Sequence, residues 1–293
     1  MSDDLPFDLS LSEEQRIMRD SIQRFAAQQM RELARDADEA GQAPAGFYDA
    51  SCELGLALLP IPEDAGGAGQ PREPMSNVLA AEDLGYGDMG LALGTLAPLG
   101  FINAVLDFGT PEQQQAFLAP LASETFVPAS IALMEGRATF EPSALQTRAV
   151  ADGDDYLITG EKRLVPLGCQ ARQFLVVAAC DEGAPAAFVV PAGTPGLSAE
   201  ASDYMGLRSL ETATVTLDAV RVPASHRLAA FDLERLVDLS RLGIAALAVG
   251  CCQAVLDYCI PYANERTAFG EPIARRQSVA FMIANMAIEL EGM

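Results

Sequence analysis

The sixteen residues from Tyr262 to Gln277, YANERTAFGEPIARRQ, set an arginine, an aromatic ring and an amide around a Phe-Gly-x-Pro break. A guanidinium at Arg266 can fork onto a pyrophosphate, and Phe269 can lie against a flat ligand. The spacing predicts a helix that ends near Ala268, a left-handed residue at Gly270, and Pro272 in the first turn of the next helix. Such a corner reads as a phosphate-and-ring binding edge, with Arg266 and Gln277 flanking it. A plain helix hairpin with a surface arginine and a core phenylalanine fits the same spacing.

Other chemistries find less support. His226 is the sole histidine, so a Ser-His-Asp or Cys-His set has one possible base, and that residue follows a turn-like Val222-Pro223-Ala224-Ser225. The six cysteines show no C-x-x-C spacing, and Cys251, Cys252 and Cys259 fall in an apolar helical stretch where small core residues are expected. Zinc and structural disulfides are not expected. No strand leads into G-x-G-x-x-G, and no G-x-x-x-x-G-K-[ST] occurs; Gly66-Gly67-Ala68-Gly69 follows a helix and reads as a turn. Nineteen basic against 41 acidic residues give a formal charge of −22, which repels nucleic acid and anionic membranes. A polyanionic ligand therefore needs a local arginine cluster. Lys162 is the only lysine.

Three segments must position these groups, in an α+β multidomain fold. Residues 1–128 read as an N-terminal helical domain: Ser10 and Glu13 stand at capping-box spacing before Met18, Ile22 and Phe25, and Thr110-Pro111-Glu112-Gln113 is a second start signal. Residues 129–228 read as a middle β-barrel, with short runs at Thr147–Val150, Tyr156–Thr159, Phe174–Ala179, Ala186–Val190 and Thr214–Leu217. Residues 229–293 return to the helical period as a C-terminal helical bundle that stops incomplete. Leu242 to Leu256 is apolar except for Gln253, too short to span a bilayer, and reads as a buried helix. The acidic start MSDDLPFDLS has no signal pattern, and a cytoplasmic location is expected.

Six landmarks, in order, resemble the flavin-dependent acyl-CoA dehydrogenases. They are Pro62-Glu63-Asp64-Ala65-Gly66-Gly67, Ala81 to Asp88, Gly109 to Gln113, Met205-Gly206-Leu207-Arg208, Val220-Arg221-Val222-Pro223 and Glu265 to Gly270. The resemblance implies a helical domain, a β-barrel and a helical bundle, as the periodicity does independently. It also implies FAD as cofactor and an acyl-CoA thioester as substrate. By resemblance Arg266, Phe269, Ile273 and Gln277 contact the FAD of a neighbouring subunit, so an oligomer is expected.

In that family a carboxylate removes the α-proton of the thioester while the β-hydrogen leaves as hydride. The base needs a dry site that raises its pKa. In isovaleryl- and long-chain acyl-CoA dehydrogenases it lies on the helix matching Phe231 to Leu239, here FDLERLVDL, where Glu234 occupies the position. Other members place it in a later helix that this sequence does not contain. The resemblance further implies that Asp232 contacts the pantetheine arm and that Arg235 lies close to the substrate. A solvated acid near a helix N-terminus is the plain alternative for Glu234.

The barrel half of the flavin site departs from the family pattern. Its T-E-P-x-A-G-S-D loop appears as Met134 to Glu141, and K-x-W-I-T-N-G as Lys162 to Gly168. Leu133, Met134, Leu164, Val165 and Pro166 thus stand at flavin-facing positions, and Pro166 has no N–H to donate. Two readings follow. One is an active enzyme whose flavin is held by backbone and by the neighbour's Arg266; the other is a flavin-poor subunit lending Arg266 to a paralogue in a mixed assembly. A non-catalytic acyl-CoA binding protein is a third class. The expected partners are acyl-CoA, a homo- or hetero-oligomeric mate and an electron-transfer flavoprotein or similar acceptor, with no nucleic acid and no membrane span.

Overall fold

The computed structural model describes residues 10–136, 140–180 and 183–293. The opening residues before Ser10, and Arg137 to Thr139 of the degenerate flavin loop, lie outside them. Two compact units emerge among the described residues, neither contiguous in sequence: one holds residues 10–32, Glu73–Asp88 and Ala245–Met293, the other Leu33–Arg72 and Met89–Ile244.

The first unit is helical. Helix α1 (Glu13–Phe25) is capped by Ser12, whose hydroxyl accepts from Gln15 N at 3.1 Å while the Gln15 side chain accepts from Ser12 N. The expected box at Ser10 and Glu13 is therefore shifted by two residues, because Glu13 already begins the helix. Helix α4 (Pro74–Gly87) packs on α1 through a fork in which Arg19 Nε and Nη2 donate to the two oxygens of the buried Asp83, at 2.8 and 2.6 Å. Glycine permits its approach to α7 (Leu233–Glu265): a Cβ on Gly250 would meet Glu82 O at 1.8 Å. Helix α8 (Gln277–Gly292) completes the unit.

Helix α7 corrects the expected buried fifteen-residue helix. It runs 33 residues, and Leu242, Ile244 and Val255 are exposed, while Cys252 is exposed and Cys251 and Cys259 only partly covered. A helix apolar all round is expected to be buried all round, yet here the side carrying Ala246, Leu247, Gly250 and Ala254 is covered and the opposite side is exposed. By length and composition α7 and α5 (Met89–Phe108) are each long and apolar enough to cross a membrane; 61% of the most apolar stretch of α5 is buried, against 28% for α7.

The second unit builds on a curled seven-stranded sheet: β1 (Ala129–Ala132), β2 (Arg148–Asp152), β3 (Asp155–Pro166), β4 (Gln173–Ala179), β5 (Pro185–Pro191), β6 (Leu197–Ser202) and β7 (Thr212–Pro223). The order is β1-β4-β2-β3-β7-β6, with β5 beside β4. Among the described strands β6 pairs only with β7, and β5 pairs with β4 and makes one further bridge, Phe188 to Arg227, so the sheet curls without a closed ring of paired strands. Strands β1 and β6 are additions to the five expected runs. Alternation along β4 divides two cores: Leu175, Val177 and Ala179 join Phe101, Val105 and Leu118 of α5 and α6 (Pro111–Leu118), whereas Phe174, Val176 and Ala178 fill the inside of the curl. Short helices α2 (Arg31–Ala40) and α3 (Phe47–Ser51) precede the loop to Pro74. Gly67, Ala68 and Gly69 there spend their N–H groups on Pro62, Leu58 and Ile61 carbonyls, so the glycine cluster is a folded turn.

Candidate functional site

The first turn of α7 gathers the candidate substrate-side residues. Asp232 precedes the helix, and its Oδ1 accepts from Arg235 N at 3.1 Å, which makes it the N-cap. Glu234 is exposed on that turn. The turn is pinned to the end of α5: Ala230 N donates to Phe108 O at 3.0 Å, and Phe231 meets Phe108 edge to face at 5.4 Å. Arg235 Nε lies 3.6 Å from Asp107 Oδ2, and Arg72 Nη1 donates to Asp107 Oδ1. Two arginines thus share one carboxylate. Nothing in the spacing of residues 72, 107 and 235 announces this cluster.

A second group lies on the sheet. In β3 the register against β7 shifts between Lys162 and Val165, and Leu164 has φ 54°. The extra residue of this bulge leaves Arg163 and Leu164 both outward and both neighbours, Lys162 and Val165, inward. Leu164 is 40% exposed and Met134 39%, and they adjoin through Arg163 N donating to Met134 O at 2.9 Å. They present an apolar platform. Val165 is only 1% exposed, so the bulge turns its side chain away from any ligand on that face, and its expected contact is restricted to main chain. Pro166 O is already taken by Ser130 Oγ.

Beneath the platform lies a buried ion pair. Lys162 Nζ donates to Glu135 Oε1 at 2.8 Å and to Leu133 O at 3.1 Å. Glu135 also accepts from Gln146 N at 2.7 Å and Thr147 N at 2.9 Å. Burial pushes the Glu135 carboxyl upward, but Lys162 and the two N–H donors outweigh it and hold the group at about 2. For Lys162 burial prevails over Glu135, and its pKa is lowered. The carboxylate, compensated by three donors, is the firmly ionised partner.

The opening motif forms a third group. Helix α7 ends at Glu265 and a two-residue hairpin follows, β8 (Thr267–Ala268) with β9 (Glu271–Pro272), corrected from the expected helix-to-helix corner. Phe269 and Gly270 make its turn with φ 55° and 87°, a pair of positive values that suits a type I′ hairpin. Pro272 therefore sits in a strand. Phe269 is 94% exposed, with Arg276 over its ring at 5.2 Å, so it is not a core residue. Ile273 N donates to Arg266 O at 2.9 Å, holding together a surface that presents Arg266, Phe269 and Gln277 outward.

Two other places carry none of these groups. His226 Nδ1 is bonded to Val189 O at 2.8 Å and its ring meets Phe117 edge to face, a packed role. A cleft of about 790 Å³ is lined by Tyr48, Asp49, Phe126, Gln170, Arg172 and Glu211 among others, and none of its lining residues is a predicted site residue.

Models of the acyl-CoA dehydrogenase N-terminal, middle and C-terminal domains match residues 12–125, 130–220 and 232–293 in that order. The chain belongs to the acyl-CoA dehydrogenase family. It is 36% identical over 296 residues to "Probable acyl-CoA dehydrogenase YngJ" of Bacillus subtilis, covering 96% of this chain and 76% of that protein. Mitochondrial short-chain specific acyl-CoA dehydrogenase of Bos taurus is 31% identical, covering 97% and 71%. Among solved structures, butyryl-CoA dehydrogenase of Megasphaera elsdenii superposes with TM-score 0.87 at 28% identity, over 98% of this chain and 78% of that one. A glutaryl-CoA dehydrogenase of Mycobacterium smegmatis, solved in complex with FADH2, gives 0.85 at 26%, over 96% and 73%. In the family's frame the helical fold, the curled middle sheet and the C-terminal helices are the expected three parts.

The groups present fit a flavin unequally. The hairpin supplies an unpaired guanidinium among the described residues, an amide and an exposed ring, a donor set suited to a pyrophosphate and a flat heterocycle. Among the described residues the sheet supplies Met134 and Leu164 as an apolar surface for a ring, and the outward donor beside them, Arg163, is paired with Glu161 at 2.7 Å.

Proposed function

We propose that the protein is an acyl-CoA dehydrogenase that uses FAD to introduce an α,β double bond into an acyl-CoA thioester. The observation that carries this is Glu234, which stands on the first turn of α7 beside an anchored Arg235, in a chain matched by all three family domains. When bound, FAD supplies the acceptor for the β-hydrogen. Glu234 takes the α-proton onto its carboxylate. Asp232 fixes the turn that aims it, and Asp107 limits where Arg235 can reach toward the thioester's CoA moiety. Glu234 is exposed in the chain alone, so the acyl thioester itself must displace water to strengthen the base. Arg266 would hold the pyrophosphate of a neighbouring subunit's FAD, with Phe269 and Gln277 against it and Ile273 bracing the hairpin. Met134, Leu164 and the main chain at Leu133, Val165 and Pro166 would face this subunit's own flavin ring. The other proposed partners are an electron-transfer flavoprotein or similar acceptor and further copies of the chain.

One observation favours a second reading: the sheet platform of Met134 and Leu164 offers no polar side chain to a flavin. On that reading the subunit lends its hairpin to a paralogue and leaves its own sheet face unused. The visible spectrum of the purified chain separates the two. Flavin bands that bleach on anaerobic addition of butyryl-CoA or a longer acyl-CoA support the enzyme, and a colourless protein that acquires FAD only with a paralogue overturns it.

A further inference from the structure

The chain's only lysine has no exposed surface, and it joins the two segments that the flavin reading places against the ring. Three hydrogen bonds and one ion pair link residues 130–135 to residues 162–166: Ser130 Oγ to Pro166 O, Lys162 Nζ to Leu133 O, Arg163 N to Met134 O, and Lys162 to Glu135. Two of the four belong to Lys162. Through Gln146 N and Thr147 N, Glu135 also ties in the segment entering β2. Gly160 completes the cage, since a Cβ there would meet Thr147 Oγ1 at 2.6 Å.

We propose that the Lys162–Glu135 pair is a positioning device that sets the height and spacing of the Met134 and Leu164 platform and so determines flavin affinity in this subunit. This rests on the flavin reading above. Two observations set it apart from ordinary core packing. A core that needed only volume there would use an apolar pair, because a buried ion pair commonly contributes no more stability than hydrophobic residues of similar size. And the pair sits under a bulge: Leu164, held at φ 54°, faces outward two residues after Lys162 faces inward, where a regular strand would put both on one face. With polar flavin contacts absent from the platform's side chains, backbone placement becomes the variable that the pair controls.

The test compares the full-length wild type with the double variant E135Q/K162M and with E135D, following thermal stability, FAD dissociation constant and the visible circular dichroism of bound flavin. The double variant removes both charges at near-constant shape; E135D keeps them but withdraws the carboxylate by one methylene. The expected result is a folded double variant and a folded E135D whose FAD dissociation constants rise about tenfold or more, with an altered dichroic band. Should the double variant fail to fold, E135D alone carries the comparison. Folded variants with wild-type FAD affinity and dichroism would overturn the proposal. A wild type that binds no FAD would instead sink the flavin reading, and this inference with it.

Discussion

Arg235 Nε lies 3.6 Å from Asp107 Oδ2, while the opposite oxygen of Asp107 is held by Arg72. One carboxylate at the end of α5 thereby connects the loop before α4 to the turn that carries Glu234. Arg72 and Asp107 are each less than a fifth exposed, and Arg235 is 60% exposed, so the inner half of the triad is structural and the outer half is free to meet a ligand.

Replacing Asp107 by Ala leaves the Arg72 guanidinium buried without its counter-charge, a loss on the order of 3 kcal/mol. Replacing Arg235 by Ala removes only the exposed arm, and stability falls by about 1 kcal/mol or less. Urea unfolding measures both. In steady-state assays R235A raises KM for acyl-CoA about tenfold, the loss expected of one charge-assisted contact.

Asp232 carries two assignments that substitution separates. As an N-cap, its change to Ala costs about 1 kcal/mol while Asn preserves the cap. If capping is its whole contribution, D232N matches wild type in both melting temperature and KM, and D232A is impaired in both. A pantetheine contact that needs the negative charge would raise KM in D232N at unchanged stability.

Acid stability follows from Glu135. Its carboxyl sits near 2 in the folded protein, below the ordinary value of 4.5, so its contribution is fully present above about 4.5 and is lost as pH falls toward 2. Unfolding free energies measured between pH 5 and 2.5 should decline with a slope that is reduced in the E135Q/K162M variant.

Phe269 offers the cleanest separation of structure from ligand contact. A phenylalanine at φ 55° costs about 1 kcal/mol relative to glycine, and its ring is almost fully exposed. F269G should therefore fold as well as or slightly better than wild type, yet bind FAD more weakly in the assembled oligomer. Calorimetry and flavin titration on the same preparation check it.

The helical start signals with strong side-chain logic were legible: the Thr110–Gln113 box forms with both of its bonds, at 3.0 and 3.3 Å. Strands lacking such cues were not. Ala129–Ala132 is short and buried, and Leu197–Ser202, LSAEAS, is poor in β-branched residues, so neither shows the composition that marked β3 or β7. The hairpin at Phe269 was hidden because Gly-x-Pro serves a helix break and a β-turn equally; only the backbone at a bulky residue with positive φ decides between them. Lys162 was visible as a singular residue, but its partner lies 27 positions away across the sheet, and no local period encodes that distance. Likewise Arg72, Asp107 and Arg235 meet only because α5 brings its end to the start of α7. Glu234 was reached by resemblance, and its exposed position on a capped, anchored turn is what the structure adds.

Single-turnover reduction of the flavin by acyl-CoA under anaerobic conditions, compared between wild type and E234Q, tests the proposed removal of the α-proton by Glu234. The E234Q variant should keep wild-type FAD content and acyl-CoA affinity while its reduction rate falls by about 10²–10⁴-fold. A reduction rate equal to that of wild type would contradict it and place the base elsewhere.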